Sequence, residues 1–279
     1  DEEGEEGEEG DEEGSDALED VVAAACDLLP ALAGAAGADA YAPVFASLHL
    51  PAMLQRLKPR TPEGLRGVVV GGLAEVAERM QARMTPHLPT LLPPLLRELR
   101  GEDAINRQNA AFACGVLVEG CGAAACAEHV PVLLQALHPL FGPKESPGTR
   151  DNAVGCVARL LLSAAAAAPP HGGGLVPLGA VLPVFCSSLP PKEDWGEAHV
   201  AYRALCELLI ADATAPDVAA SVPAMIKAFG AGAVHAKIAS ATRSMLVTTV
   251  AQLRAKYQAH VDPLLAALPA DQQAALAGA

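Results

Sequence analysis

Residues 103–122, DAINRQNAAFACGVLVEGCG, return 43 residues later in altered form as RDNAVGCVARLLL at 150–162. Arg107-x-Asn109-Ala110 is matched by Arg150-x-Asn152-Ala153, and Leu117 by Leu160. A looser copy lies upstream, where Gly71-x-Leu73-x-Glu75 precedes Gly115-x-Leu117-x-Glu119 by 44 residues. Repetition at this period, with helical spacing inside each copy, constrains the chain to a stack of similar helical units.

A second class of segment sets the boundaries of those units. It is short and apolar and carries a proline near its start or middle. The leading prolines are Pro43, Pro89, Pro131, Pro183, Pro223 and Pro263, at steps of 46, 42, 52, 40 and 40 residues. The long step contains the glycine-rich stretch at 172–174. Each segment is followed by a longer helical pattern beginning near Thr61, Asp103, Thr149, Asp194, His235 and Asp271. The expected fold is therefore all-α. It is an α-solenoid of the HEAT-repeat kind, a superhelical stack of about six antiparallel helix pairs over residues 15–279. Residues 16–36 read as the last helix of a pair cut off upstream. Ser15 or Asp16 caps it, Pro30 is expected to kink it, and Gly37 ends it.

The longer helices explain why the units must stack. After Asp103, Ala110, Ala113, Cys114, Leu117 and Cys121 form one apolar stripe, while Phe112 and Val116 lie off it. A helix that is apolar on more than one side needs neighbours on both flanks. Aromatic residues make up only 3% of the chain, so Ala, Leu and Val must fill the core. That suits closely packed helices better than a sheet.

The net charge of −14 is uneven. Residues 1–20 hold 13 of the 33 acids and neither Lys nor Arg, and the remainder is almost neutral. Residues 1–14 are expected to be a disordered acidic tract, because like charges repel and no apolar group draws the segment inward. Glu2, Glu3, Glu5, Glu6, Glu8 and Glu9 within it are candidate contacts for a basic partner. Nothing builds the basic stripe that nucleic acid requires. The chain opens without Met inside this acidic run, which suggests the C-terminal piece of something longer. No signal peptide is visible. Residues 160–189 are apolar enough to raise the question of a membrane span, but Pro169, Pro170, Gly172, Gly173, Gly174, Pro177 and Pro183 break them into two short helices.

No constellation points to catalysis, and no cofactor is expected. The seven cysteines include no CxxC and mostly sit inside apolar patterns, so they read as reduced core thiols of a nuclear or cytosolic protein. Cys121, Cys126 and His129 lie close enough in sequence to share zinc, but no closing ligand is in sight, and no metal is expected. Gly172–Gly174 is a flexible loop, since neither a preceding strand nor a following Lys-Ser/Thr makes it a phosphate loop. Arg107 and Arg150 head their helices and are expected to pair with Asp103 or Asp151 in a ladder between units. Asn109 and Asn152 either bond local backbone or face a groove and clamp an extended peptide. Glu75 and Glu119 occupy equivalent places in consecutive units. They read either as solvated helix ends or as paired carboxylates for a Lys/Arg-rich peptide. Trp195, the only tryptophan, reads as packing at a helix start.

These stretches, in their order, resemble the C-terminal HEAT repeats of the importin beta (karyopherin beta) superfamily, in its importin-four branch. The resemblance is carried by ALAGAAGADAYAPVFA (31–46) after an acidic run, GGLAE (71–75), RQNAAFACGVLVEGCG (107–122), EHVPVLLQALHPLF (128–141), RDNAVGCVARLLLSA (150–164), LPPKEDW (189–195) and LPADQQAAL (268–276). It implies a transport receptor that shuttles between cytoplasm and nucleus. Such a receptor binds basic cargo such as histones or ribosomal proteins, contacts nucleoporin phenylalanine-glycine repeats, and releases cargo to Ran-GTP. The alternative is a HEAT scaffold for protein assembly without transport activity.

Overall fold

The structure, a computed structural model, describes residues 5–277. Regular structure among them is helical, with no strand. The chain divides into two compact units, Asp1–Cys121 and Gly122–Ala279.

The first unit contains α1 (Glu5–Ala36), α2 (Ala38–Val44), α3 (Leu50–Arg56), α4 (Glu63–Met80), α5 (Leu88–Glu98) and α6 (Ala104–Cys121). A π-helical turn at Phe45–His49 joins α2 to α3, so the two act as one helix carrying Pro43. Pro89 lies in the first turn of α5, where its missing N–H would have had no intrahelical partner. The longer helices pack on each other, α1 against α4 and α4 against α6. Leu73 and Leu117, the repeated leucines of this layer, are almost fully buried. Each contributes about 1.5–3 kcal/mol by leaving water.

One expectation about the first helix changes. Residues 5–14, expected to be disordered, are helical backbone, because α1 begins at Glu5 rather than Asp16. Extending an existing helix costs little compared with nucleating one. Acidic side chains also suit the positive N-terminal end of a helix. Glu2 and Glu3 lie outside the described residues. The helix holds Pro30 within its last turns and runs to Ala36, and Gly37, at φ 80°, ends it.

The second unit contains α7 (Ala123–Cys126), α8 (Val130–Leu137), α9 (Pro147–Ala167), α10 (Leu178–Ser187), α11 (Ala198–Asp212), α12 (Pro216–Ala233), α13 (Ser240–Ala266) and α14 (Ala270–Ala277). Tyr257, at φ −135° and ψ 42°, breaks α13. Its first half is thus the second helix of the Pro223 pair, and its second half carries Pro263 as the next first helix. One layer runs α9, α11, α13, and the other runs α10, α12 and then α13 and α14. Every residue from Asp151 to Leu161 is buried. Helix α9 is enclosed on all sides, which is why its sequence shows no polar face. No helix among the described residues is long and apolar enough to cross a membrane.

Candidate functional site

Glu75 on α4 and Glu119 on α6 are both exposed. The asparagines are placed differently. Asn109 is half-buried and its Nδ2 donates to the Gly67 carbonyl on α4 at 3.1 Å. Asn152 is buried, and its Nδ2 donates to the Gly148 carbonyl at 3.1 Å and to Asp194 Oδ2 at 3.0 Å. These amide hydrogens fasten one helix pair to the next. Asn106, which the sequence reading passed over, does the same. Its Nδ2 donates to the Glu63 carbonyl at 3.0 Å and to buried Glu98 at 3.2 Å.

The two arginines that head their helices bond backbone carbonyls. Arg107 Nη1 donates to the carbonyls of Gly101 and Glu102, and Arg150 Nη2 to those of Gly142 and Glu145. Both guanidinium groups tie down the turn before their own helix. The acids have other roles. Asp103 Oδ1 accepts the Asn106 N–H at 2.7 Å and caps α6. Asp151 Oδ2 accepts the backbone N–H groups of Lys192, Glu193 and Asp194 at 2.9, 2.7 and 3.0 Å. One buried carboxylate thereby organises the turn of the next pair.

Register decides whether the glutamates form a rung. Where α4 and α6 touch, Gly67 meets Asn106, Gly71 meets Asn109, and Gln81 meets Gly120. Facing residues are therefore 38 or 39 apart, not 44. Glu75 is level with Cys114, and Glu119 lies five residues further along, about 7.5 Å down the axis. The two carboxylates are diagonal neighbours, and exposed Glu78 lies between them in level. In the second unit facing residues match the sequence repeat more closely: Asn152 meets Asp194 across 42 residues, and His199 meets Thr242 across 43.

Two apolar slots open between successive proline-bearing helices. The first, about 340 Å³, lies between α8 and α10 and is lined by Leu134, Phe141, Val181, Val184 and Phe185. The second, about 540 Å³, lies between α12 and the second half of α13, lined by Val222, Pro223, Tyr257, Val261 and Leu264. Equivalent grooves at equivalent places are a product of the stack.

No protein-family model matches the chain. Over 171 residues, 61% of this chain, it is 36% identical to the human protein named Importin-4, and over 177 residues 34% identical to the mouse protein of that name. A third relative is the probable importin subunit beta-4 of Schizosaccharomyces pombe, 28% identical over 188 residues, 67% of this chain. Over about three fifths of its length the chain is thus similar to proteins named as importins. It spans about 15% of the length of these relatives.

Six of the seven cysteines are buried, and Cys121 is half-buried. Burial pushes Cys156 and Cys186 up to about 12 and Cys206 up to about 11. Such thiols are neutral and unreactive at physiological pH. Among the described residues no three His, Cys, Asp or Glu gather as a metal site. Trp195 stacks on His235 at 3.9 Å between ring centroids.

Proposed function

We propose that this chain is part of an importin-type nuclear transport receptor that carries basic protein cargo, of the histone or ribosomal-protein kind, into the nucleus and releases it to Ran-GTP. The receptor shuttles between cytoplasm and nucleus. The chain acts by binding and is not an enzyme. The observation that carries the reading is the pair of slots between α8 and α10 and between α12 and α13. They are apolar, open to solvent and repeated along one layer, which suits the transient insertion of single phenylalanine side chains from phenylalanine-glycine repeats. Several shallow slots of this kind give weak individual contacts and useful avidity together. The exposed carboxylates Glu75, Glu78 and Glu119 support the basic-cargo part of the reading through charge complementarity.

The test is binding of a phenylalanine-glycine repeat peptide, followed by NMR or by solid-phase capture. Val181→Asp and Val222→Asp place a charge in each slot. Together they are expected to abolish binding while preserving the helical circular dichroism spectrum. Unchanged binding in the double variant moves the contact off these slots, and no binding by the parent chain favours an assembly scaffold over a transport receptor.

A further inference from the structure

The turns within successive helix pairs of the second unit each carry an exposed lysine: Lys144, Lys192 and Lys237. The acids on the same edge are largely engaged with the protein itself. Asp151 accepts three N–H groups of the next turn. Asp194 accepts the Asn152 amide and the Gly196 N–H, and Glu145 accepts the Ser146 N–H at 2.9 Å. Glu193 remains exposed beside Lys192. The edge therefore presents cations outward and holds most of its carboxylates against backbone donors.

A concavity of about 690 Å³ lies along this edge, between the turns of three consecutive pairs. Phe141 and Pro143 come from the first turn, Pro190, Pro191 and Lys192 from the second, and His235 from the third. Arg150 and Asp151 also line it, Arg150 held in place by its bonds to the Gly142 and Glu145 carbonyls, and the Asp151 carboxylate occupied by three backbone N–H groups of the next turn. The Arg150 Nε is buried and makes no hydrogen bond within the described structure. A guanidinium held in place at the wall of a concavity is a favourable partner for an oxyanion. Ser187 and Ser188 in the lining add hydroxyl groups.

We infer that this concavity binds a peptide carrying an oxyanion, a phosphate or a side-chain carboxylate, next to a proline or apolar residue. Arg150 and Lys192 take the oxyanion, with His235 at its margin. Phe141 and the prolines take the neighbouring apolar group. The site has the opposite charge preference to the Glu75–Glu119 face and does not depend on the transport reading.

The test uses the whole chain and one fluorescein-labelled Ser-Pro peptide in three forms, with serine, phosphoserine or aspartate at the variable position, read by fluorescence anisotropy at low and physiological salt. At least one oxyanion form is expected to bind about tenfold more tightly than the serine form, with the advantage shrinking as salt rises. Phosphoserine above aspartate assigns a phosphate ligand, and equal affinity assigns a carboxylate. Lys192→Glu, on an exposed turn, is expected to weaken oxyanion binding about fivefold or more without changing the melting temperature. Arg150→Lys keeps the charge but loses the fork, and is expected to weaken it about tenfold. Equal affinity for all three peptides, or oxyanion binding unaffected by Lys192→Glu, overturns the inference. Tighter binding of a single-stranded oligonucleotide at the same residues overturns the peptide assignment.

Discussion

Asn152 Nδ2 donates a 3.0 Å hydrogen bond to Asp194 Oδ2, joining successive helix pairs across 42 residues of chain. Asp151, the neighbouring residue, reaches the same turn from the other side and accepts three of its N–H groups. Two adjacent residues on α9 thus fix where the next pair sits. Removing either leaves polar groups without partners at a buried joint, at a cost of about 1–3 kcal/mol. Asp151→Ala and Asn152→Ala should each lower the urea midpoint. Asn109→Ala should lower it less, because that amide is half-buried and water can replace the bond. Equal stability of all three variants with the parent would remove the clasp from the account.

A second joint is ionic. Arg159 Nη1 and Nη2 meet Glu197 Oε2 and Oε1 in a buried fork. A methyl group at Gly155 would overlap the Glu197 carboxylate, so this glycine makes room for the pair. Glu197→Ala removes the carboxylate from a buried guanidinium, and should destabilise by about 3–5 kcal/mol. The apolar double change Arg159→Met with Glu197→Leu should recover most of that loss. Denaturant titration of the single and double variants checks both. If the double variant is no better than the single, packing rather than buried charge dominates the site.

These joints show what the sequence disclosed and what it withheld. The prolines gave the helix pairs, because a missing N–H leaves a local mark at a helix start or inside a short helix. The steps of Pro183, Pro223 and Pro263 match α10, α12 and the second half of α13. The repeat also brought out Asn109 and Asn152 together, since both perform the same fastening. Their direction was not legible, because it depends on the register between two helices. That register is 38 or 39 between α4 and α6 against a sequence period of 44. The difference turned the expected Glu75–Glu119 rung into a diagonal. The apolar slots were hidden for a related reason: each is lined by two helices that lie far apart in sequence.

Cysteine burial sets an alkaline limit. Cys156 and Cys186 rise to about 12 and Cys206 to about 11 from the ordinary 9.0. A thiol with a raised folded value favours the folded state fully below pH 9. Above it the unfolded chain loses the proton first, so stability falls as pH climbs towards the folded value. Each thiol withdraws up to about 1.4 kcal/mol per pH unit in that window. Melting temperature should therefore drop between pH 9 and 11, and drop less in a Cys156→Ala, Cys206→Ala variant once its own lower starting stability is subtracted. Iodoacetamide at pH 8 should modify half-buried Cys121 before any of the others, as read by peptide mass spectrometry.

The carboxylate face gives the last prediction. Glu75, Glu78 and Glu119 are exposed on α4 and α6, so each charge contributes only about 0.2–1 kcal/mol to an ion pair with a basic peptide. No single substitution should abolish binding. The triple change to Gln should weaken a histone-tail peptide by roughly threefold to 150-fold, and the difference should shrink as salt screens the charges. Stability should remain within about 0.5 kcal/mol of the parent, since these are surface positions. Adding Asn152→Ala to the triple variant should lower stability without weakening the peptide further, because that amide is turned to Asp194 and Gly148. Isothermal titration at two ionic strengths, paired with thermal melts, separates the effects. Full binding by the triple variant would move the cargo contact off this face, and a further loss on adding Asn152→Ala at equal stability would return the amide to the binding surface.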